Sequence, residues 1–266
     1  MTQSAMVTES VSEPRRSREF EFELPVGYLD ENGCLHRTAR LRKMTGHEEA
    51  LLADRKLRKN GGKLVTELLT SCLRQIGTKK ATTQVVAELT SADRNFLLLE
   101  LRKITFGTEL EARYTCPACG DVNAVSEDLD ALPVRRTDGD AHPEIVVELA
   151  DGYEDKDGNY YDRAVFRLPT GADEERIAGE LKDNPSRGMN ALLARCLTAF
   201  GDMPEKVRQG LGTKLLADLT LQDRARIERA LREQMPGVDL RRAIECAACD
   251  HKFSVSMDLT SFFSPG

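Results

Sequence analysis

Tryptophan is absent from this chain of 266 residues, which has only 5 Tyr and 9 Phe. An interior so poor in rings must rest on Leu, Val, Ile and Ala, which suits helix packing better than a wide antiparallel sandwich. No apolar run reaches the roughly 18 residues of a membrane span. An excess of positive charge is missing too. With 38 Lys and Arg against 44 Asp and Glu, the net charge is −6, which argues against a protein that coats nucleic acid or binds membranes through a polybasic surface. The histidines are only His36, His47, His142 and His251. None falls in a hydrolase or metalloprotease spacing, and no phosphate loop or dinucleotide fingerprint accompanies them, so no catalytic set is predicted. Residues 1–19 lack the apolar run of a secretory signal and read as a disordered leader.

What the chain does contain is a repeat of itself. Residues 89–129 recur as residues 219–259 at a constant offset of 130, with no gap needed. Leu89-Thr90, Asp93-Arg94, Leu101-Arg102, Gly107, Cys116 and Ala118-Cys119 match Leu219-Thr220, Asp223-Arg224, Leu231-Arg232, Gly237, Cys246 and Ala248-Cys249. Upstream, Cys72 and Gly77 match Cys196 and Gly201, while Thr45-Gly46 and Glu49 match Thr170-Gly171 and Glu174. The predicted organisation is a first repeat over 20–131, a linker over 132–143 and a second repeat over 144–266.

Each repeat reads as the same α+β module. Alternating apolar and charged residues at Phe20-Glu21-Phe22-Glu23-Leu24, a turn around Asn32-Gly33 and a return over 35–41 predict a hairpin, repeated over 144–149 and 161–168. Helical spacing follows over 47–59 and 63–76, separated by Gly61-Gly62, and over 173–181 and 187–200. Thr90 and Thr220 are helix caps, each followed at the third position by an Asp that complements the helix dipole, and Gly107 and Gly237 sit where those helices should stop. Short strands over 109–114 with 122–126, and 239–244 with 252–256, flank a Cys pair in each half.

Those pairs carry the chemistry. Cys116-Pro117-Ala118-Cys119-Gly120 has the spacing of a zinc knuckle, in which two thiolates hold one ion and the amides of the turn donate to sulfur. Cys246-Ala247-Ala248-Cys249 supplies a second pair at the matching place. The prediction is one structural, tetrahedral, four-thiolate Zn2+ site made by Cys116, Cys119, Cys246 and Cys249, with no open position for a reacting water. Disulfides or redox chemistry would use the same spacing, although the pairs do not open a helix after a strand, where a thiolate is activated. Two separate ions completed by another subunit remain an alternative, as does His251 replacing one thiolate. The second knuckle also has Ala247 and Asp250 where the first has Pro117 and Gly120. Cys34, Cys72 and Cys196 are unpaired in spacing; the last two fall in Leu-rich helical stretches and read as small core residues.

Other motifs take plainer readings. Asp93-Arg94 and Asp223-Arg224 look like helix-start charges. The acidic stretch over 151–162 lacks the Gly and Glu positions of a calcium loop and reads as a solvated hairpin tip. Basic clusters over 40–43 and 55–59 have no interleaved aromatics and read as solvated faces. Leu259, Phe262 and Phe263 are either a plug for a partner or ordinary packing of a chain end.

The segment Arg18-Glu19-Phe20-Glu21-Phe22-Glu23-Leu24-Pro25-Val26-Gly27-Tyr28, with Gly33, Leu35-His36-Arg37 and Leu41-Arg42, resembles the opening of the T-even-type phage baseplate hub assembly family of contractile tails and related contractile injection systems. Leu89-Thr90-Ser91-Ala92-Asp93-Arg94, Arg102-Lys103-Ile104-Thr105-Phe106-Gly107 and the first knuckle resemble its later segment. The resemblance covers residues 18–130, with the second half as a diverged copy. It implies a non-enzymatic protein that assists assembly of the baseplate hub or joins it. Its partners would be other baseplate, hub or tail proteins, with no nucleic acid; it would be made and assembled in the cytoplasm and could enter a tail-like particle. The metal reading rests on the cysteines alone. The rival from another class is a zinc-ribbon nucleic-acid-binding regulator, which requires a basic stripe around the knuckles, whereas Glu111, Asp121, Glu127, Glu245 and Asp250 lie there beside Arg113, Arg241 and Arg242.

Overall fold

A computed structural model describes residues 18–257 and Phe263. Residues 1–17 of the expected leader, together with Leu259 and Phe262, lie outside the described residues, whereas Glu19, read as the leader's last residue, is the first of a strand. The fold mixes α and β, and it opens with β1 (Glu19–Leu29) and β2 (Leu35–Arg42), an antiparallel hairpin whose register shifts between Glu23 and Tyr28. The shift falls at Pro25-Val26-Gly27, where Gly27 takes a φ of 105°, a backbone conformation that side chains resist. Then follow α1 (Gly46–Ala53), α2 (Gly61–Cys72), β3 (Leu73–Ile76), β4 (Lys79–Lys80), α3 (Thr83–Glu88) and α4 (Ser91–Phe106). The first Cys pair joins β5 (Glu109–Thr115) to β6 (Val122–Asp128).

After β7 (Val134–Arg135) comes the hairpin of β8 (Glu144–Glu154) and β9 (Tyr160–Arg167), with its own register shift between Glu148 and Tyr153. Then come α5 (Gly171–Asp183), α6 (Pro185–Cys196), β10 (Leu197–Phe200), α7 (Glu205–Leu211), α8 (Thr213–Asp218) and α9 (Leu221–Gln234). The chain continues through β11 (Gly237–Val238) to β12 (Arg241–Glu245) and β13 (Lys252–Ser256), which flank the second Cys pair. None of the described helices is long and apolar enough to cross a membrane.

Several elements differ from the expectation. The helical spacing over 63–76 belongs to two elements: α2 ends at Cys72, and Leu73 and Ile76 enter a strand that pairs with Leu41 and Ala39 of β2. The stretch over 187–200 divides the same way, with Phe200 paired to Ala164. Apolar residues at these spacings satisfy helix and strand alike, and pairing to an existing sheet decides the matter. Gly61-Gly62 is no break between helices but the start of α2, capped by the Asn60 side chain. The predicted helix over 47–59 is a shorter helix followed by a 3-10 turn at Leu57–Lys59. The last long helix stops at Met235, not at Gly237, which lies in β11 and packs on Ala92 of α4.

Two apolar clusters result. The first gathers Leu24, Leu68, Leu69, Cys72, Phe96, Leu97 and Leu101 from residues 20–131, but Met257 and Phe263 complete it, with Val238 and Leu240 at its margin. The second gathers Ile145, Val147, Phe166, Leu193, Cys196, Leu216 and Ile227, with Val26 and Ala92 from the N-terminal side. Each core therefore takes residues from the far end of the chain. The expected linker is woven in as well, because Val134 and Arg135 pair with Val238 and Gly237. This interchange brings the C-terminal Cys hairpin beside the first one.

Candidate metal centre

The two Cys turns have matching backbones. In the first, the Cys116 amide donates to the Asp121 carbonyl at 2.8 Å and the Gly120 amide donates to the Cys116 carbonyl at 2.9 Å. In the second, the Cys246 amide donates to the His251 carbonyl at 3.0 Å and the Asp250 amide to the Cys246 carbonyl at 2.9 Å. Each tight turn is held by a regular two-stranded ladder, from Glu109 opposite Asp128 to Thr115 opposite Val122, and from Arg241 opposite Ser256 to Glu245 opposite Lys252.

The hairpins face each other through their cysteines. Sγ of Cys116 lies 3.8 Å from Sγ of Cys249, and Sγ of Cys119 lies 3.6 Å from Sγ of Cys246. All four sulfurs lie within 4.8 Å of one another. A tetrahedral ion with bonds of about 2.3 Å to sulfur sets neighbouring sulfurs about 3.8 Å apart, whereas a disulfide requires about 2.05 Å. All seven cysteines are free. Cys116 and Cys246 are buried at the inner side of the cluster, and Cys119 and Cys249 are exposed at its outer side. The donor set and its spacing fit a closed four-thiolate site.

Groups around the Cys246 sulfur favour its thiolate form, whereas neighbouring thiols push Cys119 and Cys249 up. The buried Asn123 side chain points its Nδ2 at Sγ of Cys246, 3.6 Å away, while its Oδ1 accepts from the Ala247 amide at 2.9 Å. The Ala248 amide lowers the Cys246 thiol, and the donors at Asn123, Cys249 and Cys119 outweigh the burial that would raise it, so that it lies at about 6. A second connection between the hairpins lies below the cluster. Arg242 Nε donates to Glu127 at 3.0 Å, and the Tyr114 hydroxyl reaches the other oxygen of that carboxylate at 3.3 Å. His251 stacks on Phe253 with ring centroids 6.2 Å apart, and it is not one of the grouped residues. Cys72 and Cys196 are buried in the two cores and Cys34 is exposed, so the structure brings together the four predicted residues and keeps the other three apart.

The Asp-Arg pairs turn out to do more than cap a helix. Asp93 does receive the cap geometry, its amide donating to the Thr90 hydroxyl at 3.1 Å. Its fully buried carboxylate also accepts from the Val26 amide at 2.8 Å and the Gly27 amide at 3.1 Å, across the bulge of β1. Asp223 repeats this, accepting from the Asp151 amide at 3.1 Å and the Gly152 amide at 2.9 Å at the bulge of β8. Arg94 is fully buried, donates to the carbonyls of Val86 and Gly62, and faces Glu174 at 3.3 Å. Arg224 donates to the Leu216 carbonyl at the matching place. The sequence signal was available in the recurrence of each Asp opposite a Gly-Tyr pair in its own half.

Other motifs fall into place around these. The acidic turn over 151–162 is organised by Asp155, whose carboxylate accepts from the amides of Asp157 and Asn159 and from the Tyr161 hydroxyl. In the basic stretch over 40–43, Arg40 pairs with Glu21 at 2.6 Å and Arg42 with the buried Glu48 at 2.6 Å. Phe263 is buried against the first core.

Comparison with known proteins gives one result of substance: the family model described as T4 bacteriophage base plate protein matches residues 17–264. Neither the search of curated proteins nor that of solved structures gave a match.

Proposed function

The chain belongs to the T4 bacteriophage base plate protein family, and from that premise we propose that it is a non-enzymatic component or assembly factor of the baseplate hub of a contractile tail or contractile injection system. Its partners are other baseplate, hub or tail proteins. It consists of two copies of one module, over 20–131 and 144–266, clamped by one structural Zn2+ that Cys116, Cys119, Cys246 and Cys249 hold.

The observation that carries the metal is the placement of four sulfurs within 4.8 Å of one another, two from each of two hairpins separated in sequence by more than 100 residues. Zinc is the ion that such a closed four-thiolate set favours, and bound there it supplies cohesion, not chemistry. The duplication is supported by side chains repeated beyond the cysteines. Both bulges are gripped by a buried Asp, at 93 and 223. Both first helices of the halves carry a capping box whose acid is paired with an Arg of the preceding strand, Glu48 with Arg42 and Asp173 with Arg167. A body of this kind, rigid and without a demand for an active site, suits a part that positions other proteins.

The role is tested by deleting the gene and imaging the particles. The reading expects sheath and tube without completed baseplates, restored by the intact chain; normal particles in the deletion strain would contradict it. Peptide mass spectrometry of purified particles then separates a resident component from a transient assembly factor.

A further inference from the structure

We propose that the free edge of β8, over Glu144 to Gly152, is a docking site for an extended, basic segment of a partner protein, which adds to the sheet as a strand. The inference goes beyond the baseplate role, and it does not depend on the metal.

The chain itself supplies a precedent for an extended segment on such an edge, held by one backbone hydrogen bond and by side chains. Along β1, residues 136–142 lie against the strand edge: the Thr137 amide donates to the Pro25 carbonyl at 2.9 Å, Arg136 donates to the Glu23 carbonyl, and His142 Nε2 is 2.9 Å from the Gly27 carbonyl. Arg37 of β2 clamps that segment from the side, donating to the carbonyls of Thr137 and Gly139, each at 2.7 Å. The strand pairs match position for position. Glu23 lies opposite Thr38 and Tyr28 opposite His36, as Glu148 lies opposite Arg163 and Tyr153 opposite Tyr161. Glu148, Ala150 and Gly152 thus stand where Glu23, Pro25 and Gly27 stand. Yet β8 ends its sheet, whose order is β10-β9-β8: the Asp223 carboxylate takes the amides of Ala150, Asp151 and Gly152, as Asp93 takes those of Val26 and Gly27, but among the described residues no backbone group pairs with its outer edge. Val146 on that strand is 36% exposed. An unpaired edge of this length is a ready template for strand addition.

Charge selects the occupant. Where β2 has Arg37, β9 has the exposed Asp162, a group that accepts from cationic side chains and amides but cannot hold carbonyls. Glu144, Glu148 and Asp151 are exposed along the same strand; Glu148 also meets the exposed Arg163 of β9 at 3.5 Å and Asp151 accepts from the Thr220 hydroxyl at 2.7 Å, contacts at the surface that leave each carboxylate open to a further cation. A guest bearing Lys or Arg at alternate positions satisfies these carboxylates. A second copy of this chain does not, because pairing two β8 edges sets their carboxylates against each other.

The test uses the full zinc-loaded chain and two ten-residue probes, one alternating Lys with Thr and one alternating Glu with Thr. Fluorescence anisotropy should show saturable binding of the Lys probe alone, with slowed hydrogen exchange over residues 144–149, whose amides Asp223 does not hold. The double variant Glu148→Lys/Asp162→Lys should weaken binding by about tenfold or more, whereas Glu109→Lys/Glu111→Lys, the same charge change on β5, should leave it intact. The proposal is overturned by equal binding of both probes, by protection elsewhere than β8, by no binding, or by equal loss in the two variants. A homodimer in native mass spectrometry that Glu148→Lys dissolves would overturn it in favour of a second copy. The exchange measurement on the unmodified chain needs no variant to fold.

Discussion

Asp250 adopts, at a φ of 56°, the left-handed backbone that Gly120 adopts at 79°, and the amide of each donates to the carbonyl of the first cysteine in its turn at 2.9 Å. Asp250 is the one described residue other than glycine with a positive φ. An Asp tolerates this region better than most side chains but still at a cost. Asp250→Gly should therefore stabilise the protein by about 0.5–1 kcal/mol, read as a higher denaturation midpoint at unchanged slope. A fall in stability would mean that the Asp250 side chain does something the backbone argument omits.

Asp93 holds two amides of a distant strand and a buried hydroxyl. Asp93→Ala strands those donors and should cost about 2–4 kcal/mol by denaturant melting, with Asp223→Ala showing a cost of the same order. A loss below about 0.5 kcal/mol at both sites, the usual size of a surface change, would refute the reading of these residues as locks between helix and bulge.

Gly62 begins a helix, where Ala is ordinarily preferred by about 1 kcal/mol. Here a Cβ would come within 2.7 Å of the backbone nitrogen of Glu175 in α5. Gly62→Ala should reverse the usual sign and destabilise by about 1–3 kcal/mol, since backbone cannot yield as a flexible side chain does. A stabilised variant would show that α2 and α5 do not approach so closely.

The sequence makes the cysteine set legible because spacing and the recurrence of the pair at an offset of 130 both point to it, and two distant pairs have one simple way to complete a shell. Hairpins were legible from alternation, as at Phe20 and Phe22. What escaped was the use of Leu73, Ile76, Leu197 and Phe200 as strands, since apolar spacing over four residues does not separate helix from strand and the deciding partners lie more than 30 residues away. Also hidden was the exchange of core residues, in which Met257 and Phe263 serve the first cluster while Val26 serves the second. Repeats in sequence do not say which copy a segment packs on.

Acid should loosen the second half in a defined window. Burial would raise the Asp173 carboxyl, but Arg167 and the Thr170 amide and hydroxyl outweigh it and hold it at about 2. The folded value lies below the unfolded one of about 3.9, so the stabilisation is complete above roughly pH 4 and is lost as pH falls towards 2. The contribution is about 2 kcal/mol. Urea melts of the parent should lose that much more between pH 5 and pH 2 than melts of Asp173→Asn, which starts lower and varies less with pH. Parallel curves would remove Asp173 as the source.

Among the described residues, Asn123 is the one side chain that both donates to a cysteine sulfur and fixes an amide of the same turn. Asn123→Ala should weaken zinc binding by about 10- to 100-fold in a chelator competition while leaving one ion bound at saturation. An unchanged affinity would take Asn123 out of the set of groups that tune the sulfurs.

The most direct test of the account is native mass spectrometry of the purified chain beside Cys116→Ser and Cys246→Ser. The account predicts one zinc per parent chain, its loss from both variants and a lower melting temperature in each, because metal binding and folding are linked. A parent chain free of zinc, or a count that neither substitution changes, would contradict it.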